Sequence, residues 1–88
     1  NGMKAISDYF VKYHKLPDII MVDLLMPMMS GFEFILQIKH LPCYSEDKTK
    51  IILISAGIDE ADILKIKELK IKNVLLKPLD KEEFLKIL

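Results

Sequence analysis

Three short apolar runs lie along the chain, at residues 18–23, 50–55 and 73–77. Each is a nearly continuous series of Ile, Leu, Val and Met, without the alternation of polar and apolar residues that a half-exposed strand shows. Such runs are typical of strands covered on both faces, as in a parallel sheet flanked by helices. We therefore predict three parallel strands.

The segments around these runs repeat with helical period and predict helices at residues 3–14, 31–41, 60–70 and 81–88. Asp59 and Asp80 are suitable N-caps for the last two helices. Glu83 is placed to complete a capping box with Asp80. The element order α-β-α-β-α-β-α predicts an α/β layered fold.

The helical spacing also predicts the side chains that face the core. In the first three helices these are Met3, Ile6, Phe10 and Tyr13, then Phe32, Ile35, Ile38 and Leu41, and then Ile63, Leu64 and Ile66 or Leu69. Three methionines after the first strand are predicted to fill gaps in the loop and core, because no His or Cys joins them as a metal ligand. They are Met26, Met28 and Met29.

Composition limits the classes of protein to which the chain can belong. Its 88 residues make at most one small domain, and 51% apolar with 30% charged residues favours a folded body over disorder. Thirteen basic and thirteen acidic residues leave no net charge to attract nucleic acid or an anionic membrane. One cysteine, Cys43, excludes an internal disulfide, and no apolar run is long enough for a membrane helix. We expect a cytoplasmic protein.

Each apolar run ends in a polar residue: Asp23, Ser55 and Lys77. Because ligands of parallel α/β sheets bind at the carboxyl ends of the strands, we expect these groups to converge at one rim. Their chemistry suits phosphoryl transfer onto a carboxylate, since an aspartate oxygen can attack phosphorus and form an acyl phosphate. A lysine and a hydroxyl can then neutralise and position the phosphoryl oxygens.

The sequence from Asp23 to Gly31, with Met26-Pro27 and Met29 between, is followed by Ser55-Ala56 and Lys77-Pro78. In this order and at this spacing, the motifs resemble the receiver (response-regulator) domain of two-component signalling. The resemblance covers the whole chain. It implies part of a flavodoxin-like (βα)5 fold in which the three visible strands are the third to fifth.

By the same resemblance, residues 1–88 are a partial receiver domain that runs from its second helix to the start of its fifth. Three strands alone would leave apolar sheet edges open, so we expect a preceding β-α-β unit to belong to the domain. The open edges also make a homodimer one possible arrangement.

The resemblance assigns Asp23 as the phosphoacceptor, Ser55 as the switch hydroxyl and Lys77 as the phosphate-contacting lysine. Asp23 and the backbone carbonyl of Leu25 would be magnesium ligands. Two departures stand out: the acidic pair that completes the metal site in receivers is not in this sequence, and Val74 occupies the position of the usual aromatic switch residue. We expect weak or absent Mg²⁺ binding by these residues alone.

The resemblance implies a phosphorylation-dependent switch, not an enzyme, which accepts its phosphoryl group from a histidine kinase or a phosphotransfer protein. An alternative is an unphosphorylated pseudo-receiver that acts as an interaction module. A phosphatase or phosphotransferase of the haloacid dehalogenase type is disfavoured, because that family has a second acid two residues after its nucleophile. This chain has Leu25 there.

Overall fold

The computed structural model describes residues 2–26 and 29–88. In this part of the chain, four helices alternate with three strands: α1 (Gly2–Tyr13), β1 (Ile19–Asp23), α2 (Gly31–Lys39), β2 (Lys50–Ser55), α3 (Glu60–Glu68), β3 (Asn73–Leu76) and α4 (Lys81–Ile87). The predicted order and the α/β class are confirmed. The predictions that involve Asn1, Pro27 and Met28 lie outside the described residues.

The strands form a parallel sheet in the order β1-β2-β3. β2 is the central strand, and its last five residues are buried, which explains its unbroken apolar sequence. β1 and β3 lie at the edges of the described sheet and are partly exposed, with Met21 43% and Leu76 51% accessible. The expected open apolar edges are therefore present in this part of the molecule.

The sheet separates two hydrophobic layers. One face of β1 and β2 packs with α1 and α2 in the larger cluster, whose centre includes Ile35, Ile38 and Leu53, all fully buried. The opposite face contributes Ile52, Ile54 and Leu75 to a smaller cluster covered by α4. Met26 and Met29 pack against the larger cluster, as predicted for them.

The predicted inward face of α1 is correct only for its first half. Ile6 is buried and Met3 packs beside it, whereas Phe10 and Tyr13 are 37% and 51% exposed. Phe10 lines an open cavity with Leu16, Leu41 and Cys43. The Tyr13 ring instead lies against Tyr9, with 4.5 Å between ring centroids.

The inward assignment of Ile63 and Leu64 in α3 is wrong. These side chains are 44% and 68% exposed, and no residue of α3 is buried. The helix touches the large cluster through the half-buried Ile66 near its carboxyl end.

The predicted helix starts are accurate, and their caps explain why. Asp59 caps α3 through a reciprocal capping box with Asp62. Asp80 caps α4 by accepting a hydrogen bond from the Glu82 amide, in place of the capping box predicted with Glu83. Ser30, which the helical pattern did not single out, caps α2 by accepting from the Glu33 amide.

Candidate functional site

The carboxyl ends of the three strands form one rim, and Asp23, Ser55 and Lys77 all lie on it. Asp23 is the last residue of β1 and Ser55 the last of β2, while Lys77 directly follows β3. β3 ends one residue earlier than predicted, but the Lys77 amide still donates to the Ser55 carbonyl at 2.8 Å. Backbone pairing therefore fixes the separation of these two residues.

Asp23 and Lys77 are in direct contact. The Lys77 Nζ donates to Asp23 Oδ2 at 2.6 Å, although 54 residues separate them and β2 lies between their strands. Neighbouring strands are about 4.8 Å apart, so the two side chains and the hydrogen bond between them together bridge roughly twice that distance. The contact therefore brings a positive charge to the carboxylate from the far edge of the described sheet.

The second oxygen of the Asp23 carboxylate is also bound. Oδ1 accepts a hydrogen bond from the Leu25 amide at 3.1 Å. The hydrogen bond from Lys77, then that from the Leu25 amide, hold the pKa of Asp23 below its ordinary value, and partial desolvation opposes them. The carboxylate is thus anionic, oriented and still 39% exposed, as a nucleophile that meets an outside donor must be.

Ser55 is brought to the rim, but its hydroxyl is turned into its own loop. The side chain is buried, and Oγ donates to the Gly57 carbonyl at 2.6 Å while accepting from the Gly57 amide at 3.2 Å. This pair of bonds closes a local turn of the kind that serine favours. The predicted position of Ser55 at the rim is correct, but nothing in the sequence indicates which rotamer its hydroxyl adopts.

Gly31 has a structural role at the site that its place in the sequence motif does not reveal. A Cβ atom at this position would lie 2.6 Å from the Asp23 carbonyl oxygen and 2.8 Å from the Leu24 Cα. The start of α2 is therefore pressed against the backbone of the phosphoacceptor candidate. The Gly31 amide donates to the Leu24 carbonyl at 2.8 Å, which closes the loop after β1.

A cavity of about 390 Å³ opens beside the rim, between the loops that follow β1 and β2. Leu25, 83% exposed, and Phe32 give it an apolar wall, and Asp59 lies on the other side. Ser55 also lines this cavity. The loop after β2 therefore borders open space on this side of the rim.

The described residues do not by themselves form a magnesium site. Asp23 supplies one carboxylate, whose two oxygens are already hydrogen bonded to Lys77 and Leu25. Within residues 2–26 and 29–88, no group of three or more His, Cys, Asp or Glu side chains could hold a metal ion. Mg²⁺ prefers six oxygen ligands in near-octahedral geometry, more than this set offers.

A family model for the response regulator receiver domain matches residues 1–88, the whole chain. The chain belongs to this family. Receiver domains are signalling switches of two-component systems. In the described part of this chain, no helix is long and apolar enough to cross a membrane.

Relatives agree with this assignment. The chain is 37% identical over 62 residues to the Regulator of RpoS of Escherichia coli K12, and this match covers 70% of the chain but 17% of that protein's length. Among solved structures, chemotaxis protein CheY4 of Vibrio cholerae superposes with a TM-score of 0.75 at 27% identity, over 98% of this chain and 68% of that one. A two-component response regulator of Cytophaga hutchinsonii shares the fold, with a TM-score of 0.77 at 24% identity. The match covers 99% of this chain and 68% of that one.

Proposed function

We propose that this receiver domain is switched by phosphorylation of Asp23. The observation that carries the proposal is the 2.6 Å contact between Lys77 Nζ and Asp23 Oδ2 across the end of β2. Because both side chains are partly exposed, the pair contributes little to stability. A role in phosphoryl transfer explains its position better. The family match over the whole chain supports the same function.

In the proposed reaction, an Asp23 oxygen attacks the phosphorus of a phosphohistidine on a histidine kinase or phosphotransfer protein. The new O–P bond forms as the P–N bond breaks, and the imidazole leaves with the bonding pair. The Leu25 amide keeps the carboxylate oriented by donating to Oδ1. The Lys77 ammonium group then donates to a phosphoryl oxygen instead of the carboxylate, and its positive charge stabilises the negative charge there. Water later attacks the phosphorus, releasing phosphate and regenerating the carboxylate.

Ser55 serves as the reporting group in this proposal. The phosphoryl dianion attracts the hydroxyl hydrogen that the Gly57 carbonyl now accepts. Breaking that bond frees the loop after β2, which continues directly into the cap of α3 at Asp59. Because Val74 replaces the usual aromatic residue, the response travels through this loop and not through a rotating ring.

The proposed cofactor is Mg²⁺, and the proposed location of the protein is the cytoplasm. Asp23 and the Leu25 carbonyl would supply ligands to the ion, together with acids that the described residues do not provide. The ion would neutralise charge on the phosphoryl group as it is transferred. The chain's own residues hold the carboxylate and supply the lysine charge.

The test is phosphorylation of the full-length protein by acetyl phosphate with Mg²⁺, read by intact-protein mass. We expect wild type to gain one phosphoryl group, Asp23→Asn to gain none, and Lys77→Met to react at least about tenfold more slowly. Asp59→Asn is the matched control, because asparagine also caps a helix and Asp59 lies on the neighbouring loop.

Equal labelling of Asp23→Asn and wild type would refute the assignment of the acceptor. If wild type takes up no phosphoryl group from either acetyl phosphate or a phosphorylated histidine protein, the unphosphorylated interaction module becomes the better description. If Asp59→Asn alone loses labelling, the reactive carboxylate lies on the loop after β2.

A further inference from the structure

A second cavity, here called the basic cavity, lies at the amino ends of β2 and β3, opposite the rim that carries Asp23. Its volume is about 240 Å³, and its walls come from the end of α2, the α2–β2 connection and the segment between α3 and β3. Its charged lining residues are four lysines and two acids: Lys39, Lys50, Lys70 and Lys72, with Glu46 and Asp47. The cavity is therefore positively charged, although the chain as a whole has no net charge.

Lys39, the last residue of α2, is held in place at the wall of the basic cavity. Its Nζ donates to the Leu69 carbonyl at 2.6 Å and to the Lys70 carbonyl at 3.2 Å. These bonds use two of the three N–H donors of the ammonium group, so one is left for a further acceptor. Burial lowers the pKa of Lys39, the charges of Lys72 and Lys70 lower it further, and Glu46 opposes them. The three ammonium groups are thus close enough to repel one another.

Glu46 supplies the anion that offsets this repulsion. Its carboxylate forms an ion pair with Lys72. The hydrogen bond and charge of Lys72, followed by the charges of Lys39 and Lys70, hold the pKa of Glu46 below its ordinary value, and desolvation opposes them. The side chains of Lys72 and Glu46 are 72% and 56% exposed, so their pair contributes little to stability and an outside anion can replace the carboxylate.

The chemistry of the basic cavity favours a multivalent oxyanion. A monovalent ion such as chloride would have to displace a carboxylate that is tethered beside its lysine and is therefore present at high effective concentration. A phosphate group carries more charge and accepts hydrogen bonds from several ammonium groups at once. Burial, and then the charge of Glu46, raise the pKa of Tyr44, with Lys72 opposing them, so its hydroxyl stays protonated and can donate to an oxyanion.

We propose that the basic cavity binds a compact phosphate-bearing anion of the pyrophosphate class, which displaces the Glu46 carboxylate from Lys72. The cavity is smaller than the roughly 300–1,000 Å³ of pockets for drug-sized ligands, so the anion has few atoms. Its binding detaches the α2–β2 connection at Glu46, while Thr49 Oγ1 still donates to the Pro17 carbonyl at 3.0 Å. The site goes beyond the function proposed above and does not depend on phosphorylation of Asp23.

The experiment is equilibrium dialysis of the full-length protein against radiolabelled pyrophosphate, in about 0.15 M KCl with EDTA to remove divalent cations. We expect wild type to bind the anion in a saturable manner. Lys72→Met should weaken binding by at least about fivefold, because a principal cation is lost. Glu46→Gln should tighten binding by about fivefold, because the internal competitor is gone.

Two controls match these variants in charge. Asp47→Asn makes the same change of charge as Glu46→Gln in the same cavity, but the ion pair of Lys72 in the described structure is with Glu46. Lys67→Met removes an exposed lysine of α3 that does not line the cavity. Both controls should change the dissociation constant by less than about twofold.

Equal tightening by Glu46→Gln and Asp47→Asn would show general electrostatic attraction, and the inference would be wrong. It is also wrong if neither wild type nor Glu46→Gln takes up pyrophosphate at millimolar concentration. If Lys77→Met loses uptake and Lys72→Met does not, the anion binds at the rim with Asp23, which overturns the inference but not the proposed function. Binding of a single-stranded oligonucleotide without binding of pyrophosphate would assign the lysines to nucleic acid instead.

Discussion

The Asp23 carboxylate is oriented by two donors of different origin. Leu25 is two residues away, and its amide donates because of the local path of the loop. Lys77 comes from the far edge of the sheet, and its contact depends on all three strands being in register. The orientation of the carboxylate therefore depends both on its own loop and on the pairing of all three strands.

The lowered pKa of Asp23 predicts how its contribution to stability depends on pH. The folded-state pKa lies below the unfolded value because of Lys77 and the Leu25 amide. The stabilisation is therefore fully present above about pH 4 and is lost as the pH falls through the folded-state pKa. Urea unfolding of the full-length protein should show a small free-energy advantage of wild type over Asp23→Asn that shrinks as the pH falls below about 4.

The matched control for this prediction is the same comparison made in a Lys77→Met background. Most of the pH-dependent difference should disappear there, because the first cause of the lowered pKa is gone. A difference that grows as the pH falls would have the wrong sign for a lowered pKa.

At the residue scale, the sequence predicted the positions of the candidate site residues better than their contacts. The apolar runs located Asp23, Ser55 and Lys77 at strand ends, since parallel strands bring their carboxyl ends together. The inward turn of the Ser55 hydroxyl was not predictable, because serine has several staggered rotamers of similar energy. For Leu25 the resemblance implied a role for the carbonyl, whereas the contact in the structure is made by the amide.

Among the elements, the start of α2 has the closest structural link to the site. Gly31 at its first position lies against the carbonyl oxygen of Asp23, a backbone atom that cannot turn aside. Any larger residue must push the helix away from β1. The position of this helix and that of the proposed acceptor carboxylate are therefore coupled.

Gly31→Ala should destabilise the full-length protein by about 1–3 kcal/mol, as overpacking does. It should also slow labelling by acetyl phosphate, because the backbone of Asp23 must shift. Gly57→Ala is the matched control: a Cβ there meets nothing within 4 Å, and neither glycine has a positive φ. We expect Gly57→Ala to be neutral or slightly stabilising in urea unfolding, and equal losses for the two variants would contradict the packing argument.

Element positions were predictable because local signals agree with the fold, and the errors arose where tertiary packing decides. Asp59 and Asp80 marked helix starts correctly because capping is a local interaction. Periodicity identified the apolar faces of α1 and α3 but could not show what covers them. Tyr13 and Leu64 are therefore exposed despite their helical spacing.

In the molecule as a whole, stability should depend on both layers of the sheet. Ile35 belongs to the cluster under α1 and α2, and Ile52 to the cluster under α4. Each side chain is fully buried, so replacing either by alanine should cost about 2–5 kcal/mol in urea unfolding. Leu64→Ala is the control and should change stability by less than about 0.5 kcal/mol, because the side chain is 68% exposed.

A large loss of stability in Leu64→Ala would show that the exposed face of α3 is covered in the full-length protein. A small loss in Ile52→Ala would show that α4 packs only loosely on the second face of the sheet. The two isoleucines therefore test the layers separately.

The reactive groups lie where the strands end, whereas the connection between α2 and β2, residues 40–49, lies where the central strand begins. Six residues of β2 separate these two regions, a distance of about 20 Å at 3.3 Å per residue. Substitutions and insertions in this connection can therefore diversify the remote surface of the domain while the geometry of the proposed phosphoryl site is inherited unchanged.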